Sequence, residues 1–263
     1  MVLEGPTLVS EALESDVAVE AVFVDVDADG ADIAPVMALA AQSGVECHTV
    51  TSGVLGSISD VVSPRPVLAV APIPAGELDA VVADCVDQHR HLLVLVDVRD
   101  PGNLGTIIRA ADASGAAGVI CSVGTVDPWS PKVVRSSAGS VLRVPILSGL
   151  PGPAVIDILQ GAGVATIGTT LDAATGYDEL RLDGAVALVL GNEAHGLDPA
   201  VAASLDRLVT IPMVGRAESL NVAMAAAILS FEVLRQHRHR PDPTAPGDSD
   251  WTSPPRGDKV IGR

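Results

Sequence analysis

Four short, nearly unbroken apolar runs constrain this chain most: LLVLVD (92–97), GVICS (118–122), VATIGT (164–169) and AVALVL (185–190). A strand with one wet face alternates apolar and polar residues, whereas these runs are apolar at successive positions and need cover on both faces. Helical segments separate them at 103–114, 131–138 and 152–161. Two further runs, VLRVPI (141–146) and LVTI (208–211), read as strands, and a long apolar helix spans about 219–236. Such alternation predicts an α/β fold with a parallel sheet between helical layers.

Ahead of this block lies a second, smaller α/β pattern. Residues 7–15 and 30–43 read as helices, and EAVFVDV (20–26), VECHTV (45–50) and VLAVAP (67–72) as strands. Pro64, Pro66, Pro72 and Pro74 close it, giving a first domain over 1–75. Residues 76–91 are a linker, or their helical part (76–88) opens the next block, which runs 92–236. The remainder, 237–263, is rich in Pro, Gly and charge and is expected to be disordered, with Trp251 solvated.

Charge is unevenly spread. Of the net −17, residues 1–90 hold 15 acidic and two basic residues, a balance of −13, while 91–240 hold 14 and 11, a balance of −3. A general polyanion binder carries a basic face, so any nucleic-acid contact belongs to the nearly balanced middle segment. No apolar run approaches the roughly 18–20 residues of a membrane span, and no secretory segment opens the chain. A cytoplasmic protein is expected. Cys47, Cys85 and Cys121 are scattered and odd in number, which argues against disulfides, a metal site or a cysteine nucleophile.

In parallel α/β sheets, ligands bind beyond the carboxyl ends of strands, and three such places carry polar residues. DVRDPGNLGTIIRAADASG (97–115) brings Gly102, Asn103, Gly105 and Arg109 to a loop and helix start. Arg109 fits an anion contact or an ion pair with Asp97, Asp100 or Asp112; spacing leaves both open. LVLGNEAHGL (188–197) ends a strand in Gly191, Asn192 and Glu193. TIPMVGRAESLNVAMAA (210–226) places Glu218 and Ser219 where the last helix begins.

Together these residues resemble the SpoU-type, TrmH-like RNA ribose 2′-O-methyltransferases of the SPOUT superfamily. Asn103 with Arg109 matches the first family motif, Gly191-Asn192-Glu193 the second and Ser219-Leu220-Asn221-Val222 the third. The resemblance covers about 92–236; residues 4–75 more weakly resemble the small RNA substrate-binding domain fused ahead of it. It implies a parallel-sheet methyltransferase domain with a carboxyl-terminal trefoil knot, which pattern alone would not propose. It also implies a homodimer with the last helix in its interface, and S-adenosylmethionine held at Leu190, Gly191, Asn192, Ile211, Met213 and Leu220. RNA is the implied substrate, ribosomal RNA ahead of transfer RNA. Arg109, Arg135, Ser137 and Gly139 would face it, and Arg109, Asn103, Glu193, Ser219 and Asn221 would serve catalysis.

The implied reaction is in-line attack of a ribose 2′-hydroxyl on a sulfonium methyl group. Guanidinium keeps its proton in proteins, so Arg109 would hold the adjacent phosphate and steady developing oxyanion character. The proton would pass to phosphate, water or a nearby polar group. His195 sits in a loop and reads as exposed rather than as the base. A nicotinamide-dependent dehydrogenase is disfavoured because no G-x-G-x-x-G follows the first core strand, and no P-loop is present. A non-catalytic relic is disfavoured by the intact polar set.

Overall fold

The computed structural model describes residues 1–58 and 65–239. The tail read as disordered lies outside these residues from 240 onward, and the last helix continues past 237, to Arg238.

The first unit contains β1 (Val2–Glu4), α1 (Pro6–Leu13), β2 (Ala21–Asp25), α2 (Gly30–Gln42), β3 (Glu46–Val50), α3 (Val54–Ile58) and β4 (Val67–Val70). Its sheet runs β1-β4-β2-β3, with β2 and β3 parallel and β4 antiparallel to both neighbours. The two β2 residues buried beneath the helices, Val22 and Val24, are two apart, as the pleat requires.

The second unit contains α4 (Leu78–Asp87), β5 (His91–Leu95), α5 (Pro101–Ser114), β6 (Gly118–Ser122), α6 (Pro131–Ser136), β7 (Ile146–Leu150), α7 (Gly152–Gly161), β8 (Ala165–Thr169), β9 (Val186–Leu190), α8 (Pro199–Ser204), β10 (Arg207–Val209) and α9 (Val222–Arg238). All six strands are parallel, in the order β10-β8-β9-β5-β6-β7. Alternate strand residues enter different cores. Leu93, Leu95, Val119, Cys121, Leu188 and Leu190 pack with α5 and α9 on one face. Leu92, Val94, Ile120, Ala187 and Val189 pack with α4, α7 and α8 on the other. Burial on both faces is why these strands read as unbroken apolar runs. Among the described residues no helix is long and apolar enough to cross a membrane.

Three expectations change. The 76–91 stretch is not a free linker: Val81, Val82 and Cys85 of α4 are buried in the second unit's core. The strand expected at 141–146 is a single 3-10 turn over Ser140–Leu142, and β7 begins only at Ile146. Ala138 and Gly139 both adopt positive φ (48° and 84°), which reverses the chain and lets the following residues turn tightly. Pro145, with no N–H to give a ladder, delays the strand. The last helix starts at Val222, not 219, because the Asn221 side chain accepts from the Ala223 and Met224 amides and caps it.

The two units share a continuous core that includes Leu3 and Val9 of the first and Val133 and Val141 of the second. Glu4 accepts from Arg135 at 2.8 Å with both side chains largely covered, and Arg143 bridges Glu11 and Asp112 across the same seam.

Candidate active site

The strand order reverses between β5 and β9, and the loops leaving these two strands meet there, at the switch point where parallel sheets bind ligands. After β5, Asp97 takes a left-handed conformation (φ 58°) that few non-glycine residues adopt. Asn192, after β9, donates to the Asp97 carbonyl (2.9 Å) and carboxylate (3.2 Å), joining the loops. The Asn192 side-chain oxygen accepts from the Ala194 and His195 amides and shapes the turn back to Gly196. A side chain at Gly191 would overlap the Gly196 backbone, so only glycine allows this closure.

Glu193 is held by three donors: the Arg99 amide on Oε2 (3.1 Å), and the Asp100 amide (2.9 Å) and Asn103 Nδ2 (3.1 Å) on Oε1. Partial burial raises its pKa, but the hydrogen bonds from Asp100, Asn103 and Arg99 outweigh it and keep the carboxyl below the ordinary value. Asn103 Oδ1 then accepts from Asn221 Nδ2 at 2.8 Å. Glu193, Asn103 and Asn221, 90 and 118 residues apart along the two links, thus form one hydrogen-bonded chain across three segments. Asp100 caps α5 through the Asn103 amide and fixes where that chain starts.

Beside it lies a pocket of about 520 Å³, lined by Leu190, Gly191, Asn192, Ile211, Met213 and Leu220, the six residues expected to hold cofactor, and by Ser219 and Glu193. One wall was not anticipated from sequence: Thr169, Thr170, Leu171 and Asp172, just past β8. Its only signal is its place at a strand's carboxyl end. Val222, Ala225, Glu218 and the 194–197 turn complete the lining, and His195 of that turn is exposed.

Arg109 does not join the hydrogen-bonded chain. It lies on the exposed face of α5, about 9 Å further along the axis than Asn103. The ion-pair reading fails, since Asp97 binds Arg99, Asp100 caps α5 and Asp112 binds Arg143. The other residues expected on the RNA side sit in the seam between the units. Arg135 is paired with Glu4, and Ser137 is fully buried with its hydroxyl donating to the Val134 carbonyl. Gly139 faces the Glu11 carboxylate so closely that a Cβ would overlap it. Arg135 and Gly139 thus meet the first unit, Arg135 keeping part of its side chain exposed, and Ser137 lies buried beside them.

Fold and site define a parallel α/β enzyme domain with a half-apolar ligand pocket at its switch point, beside a hydrogen-bonded polar chain and an arginine that has no ion pair among the described residues. The SpoU rRNA methylase family model matches residues 90–231, and the model for RNA 2′-O ribose methyltransferase substrate binding matches residues 2–75. A 23S rRNA (guanosine(2553)-2′-O)-methyltransferase of Bacillus subtilis is 34% identical over 88% of this chain and 87% of its own length. The SpoU methyltransferase AviRb of Streptomyces viridochromogenes superposes with a TM-score of 0.78 at 29% identity, covering 91% of this chain and 90% of that one. An AdoMet-bound rRNA methyltransferase of Sinorhizobium meliloti does so with a TM-score of 0.76 at 33% identity, covering 89% and 86%. The chain belongs to the SpoU rRNA methylase family.

Proposed function

We propose that this S-adenosylmethionine-dependent RNA methyltransferase modifies a ribose 2′-hydroxyl of 23S ribosomal RNA and works as a homodimer in the cytoplasm. One observation carries the reading: the pocket and the Glu193–Asn103–Asn221 chain adjoin at the switch point, so a bound methyl donor and a polar receiving site share one wall. The pocket fits the donor. Its volume falls within the roughly 300–1,000 Å³ of small-molecule sites, with apolar Leu190, Ile211 and Leu220 for a purine and polar Asn192, Ser219 and Thr170 for ribose and amino-acid groups. Two relatives are named for 23S rRNA, one of them matching across both units, which supports that substrate.

Bound S-adenosylmethionine supplies a methyl group on a positively charged sulfur, ready for displacement. The chain's own residues do the rest. Glu193, with its oxygens engaged, fixes the Asn103 amide, and Asn221 fixes it from the other side, so the nucleotide meets a preset surface rather than one that must reorganise. Arg109 needs no carboxylate broken before it takes a backbone phosphate, and it keeps its proton while it does so. The segment from Ile211 to Leu220 reaches the pocket beside the 191–197 loop, which supports the carboxyl-terminal trefoil knot of the family reading.

The dimer reading rests on α9. One side packs on α5 and β9; the other shows Met224 (60% exposed), Ile228 and Phe231 (47% exposed) at helical spacing, an apolar stripe of the kind partners cover. The functional test is tritium transfer from labelled S-adenosylmethionine to ribosomal RNA. Label retained in 23S rRNA as a 2′-O-methyl nucleoside is expected; label on a base, or none, would overturn the reading.

A further inference from the structure

We propose that Asp172 and Glu218 make the pocket select the cationic methyl donor over the neutral product left after transfer; this rests on the pocket being the S-adenosylmethionine site. Its charged lining residues are Asp172, Glu193 and Glu218, and among the described residues no lysine or arginine lines it. Glu193 has both oxygens engaged by the Arg99, Asp100 and Asn103 donors. Asp172 and Glu218 have no hydrogen bond or ion pair among the described residues, and both are solvent-exposed at the pocket wall. They come from separate segments, the turn after β8 and the strap before α9, so two independent parts of the chain bring a carboxylate to one pocket.

The methyl donor carries a sulfonium, an ammonium and a carboxylate, a net single positive charge. When the C–S bond breaks, its electron pair stays on sulfur, the methyl joins the ribose oxygen and the hydroxyl proton passes to phosphate, water or a nearby polar group. The thioether product keeps only the ammonium and carboxylate and is neutral. The apolar wall of Leu190, Ile211 and Leu220 cannot tell the two apart, because adenosine and the amino-acid chain are common to both. Two carboxylates can, by attraction to a charge that only the donor carries. Because both are exposed, screening limits each to a several-fold effect, enough to hold the donor and release the product.

Titration calorimetry on the full chain tests this with S-adenosylmethionine, S-adenosylhomocysteine and sinefungin, which carries an ammonium in place of the sulfonium. In the Asp172→Asn/Glu218→Gln double variant, affinity for S-adenosylmethionine and sinefungin is expected to fall about tenfold while that for S-adenosylhomocysteine stays within about twofold. Equal weakening of all three ligands would overturn the proposal by showing a general role in pocket shape. Unchanged binding of all three would show the charges idle and overturn it as well. Failure of the unsubstituted chain to bind any of them would overturn the reading of the pocket itself.

Discussion

Among the described residues Arg109 has no ion pair, whereas Arg99 pairs with Asp97, Arg135 with Glu4 and Arg143 with Asp112. Replacing it with lysine keeps the charge and loses the planar fork that grips two phosphate oxygens. Methyl transfer by Arg109→Lys is expected to fall roughly a hundredfold, about 3 kcal/mol of transition-state stabilisation. The Kd for S-adenosylmethionine, measured on the same sample, is expected to move less than about twofold; normal turnover would remove the residue from catalysis. His91 makes a different prediction. Burial first, then the nearby His237 and Arg90 charges, lowers its pKa to about 4, and its Nε2 lies 3.3 Å from Ser114 Oγ. The unfolded chain titrates it near 6.5, so between these values the unfolded state binds more protons. The contribution of neutral His91 is complete above about pH 6.5 and is lost as pH falls through the folded value, on the order of 3 kcal/mol in all. Thermal melts stepped from pH 7 to 4.5 are expected to fall more steeply for the unsubstituted chain than for His91→Gln; parallel curves would contradict the assignment.

At the scale of elements, α5 matters most because it carries Asn103 and Arg109 and is gripped on two sides, by α9 and by α6. Gly105 packs directly against the end of α6. A Cβ there would overlap Ser136 Oγ and lie 2.8 Å from the Ser137 amide, which is backbone and cannot rotate away. Gly105→Ala is expected to cost about 1–3 kcal/mol by forcing the helices apart, read as a melting temperature several degrees lower; an unchanged melt would show that the contact yields freely. The same elements show how far a sequence can be read. The core strands were legible because burial on both faces leaves long apolar runs, and Gly191, Asn192 and Glu193 stood out as polar residues closing such a run. The false strand at 141–146 arose because V-L-R-V is rich in β-branched and apolar residues, while the reversal that breaks it depends on positive φ at Ala138, a residue that carries no such signal. The pocket wall at Thr169–Asp172 looks like any polar turn until β8 is placed beside β9. The seam position of Arg135, Ser137 and Gly139 depends on how the first unit docks, and no local pattern encodes that.

For the whole molecule, the two units are joined by a continuous core and two sets of ion pairs, while α9 leaves an apolar stripe exposed. Light scattering at micromolar concentration is expected to give a dimer, and Phe231→Glu, which puts charge into that stripe, a monomer; an active monomer of the unsubstituted chain would contradict the interface. In the proposed function the molecule methylates a ribose of 23S rRNA. Mass mapping of ribose methylation in 23S rRNA from cells with and without the protein tests it most directly. A 2′-O-methyl nucleoside is expected to be lost in its absence, restored by the unsubstituted chain and not by Arg109→Lys. An unaltered set of ribose methylations in cells without the protein would contradict it.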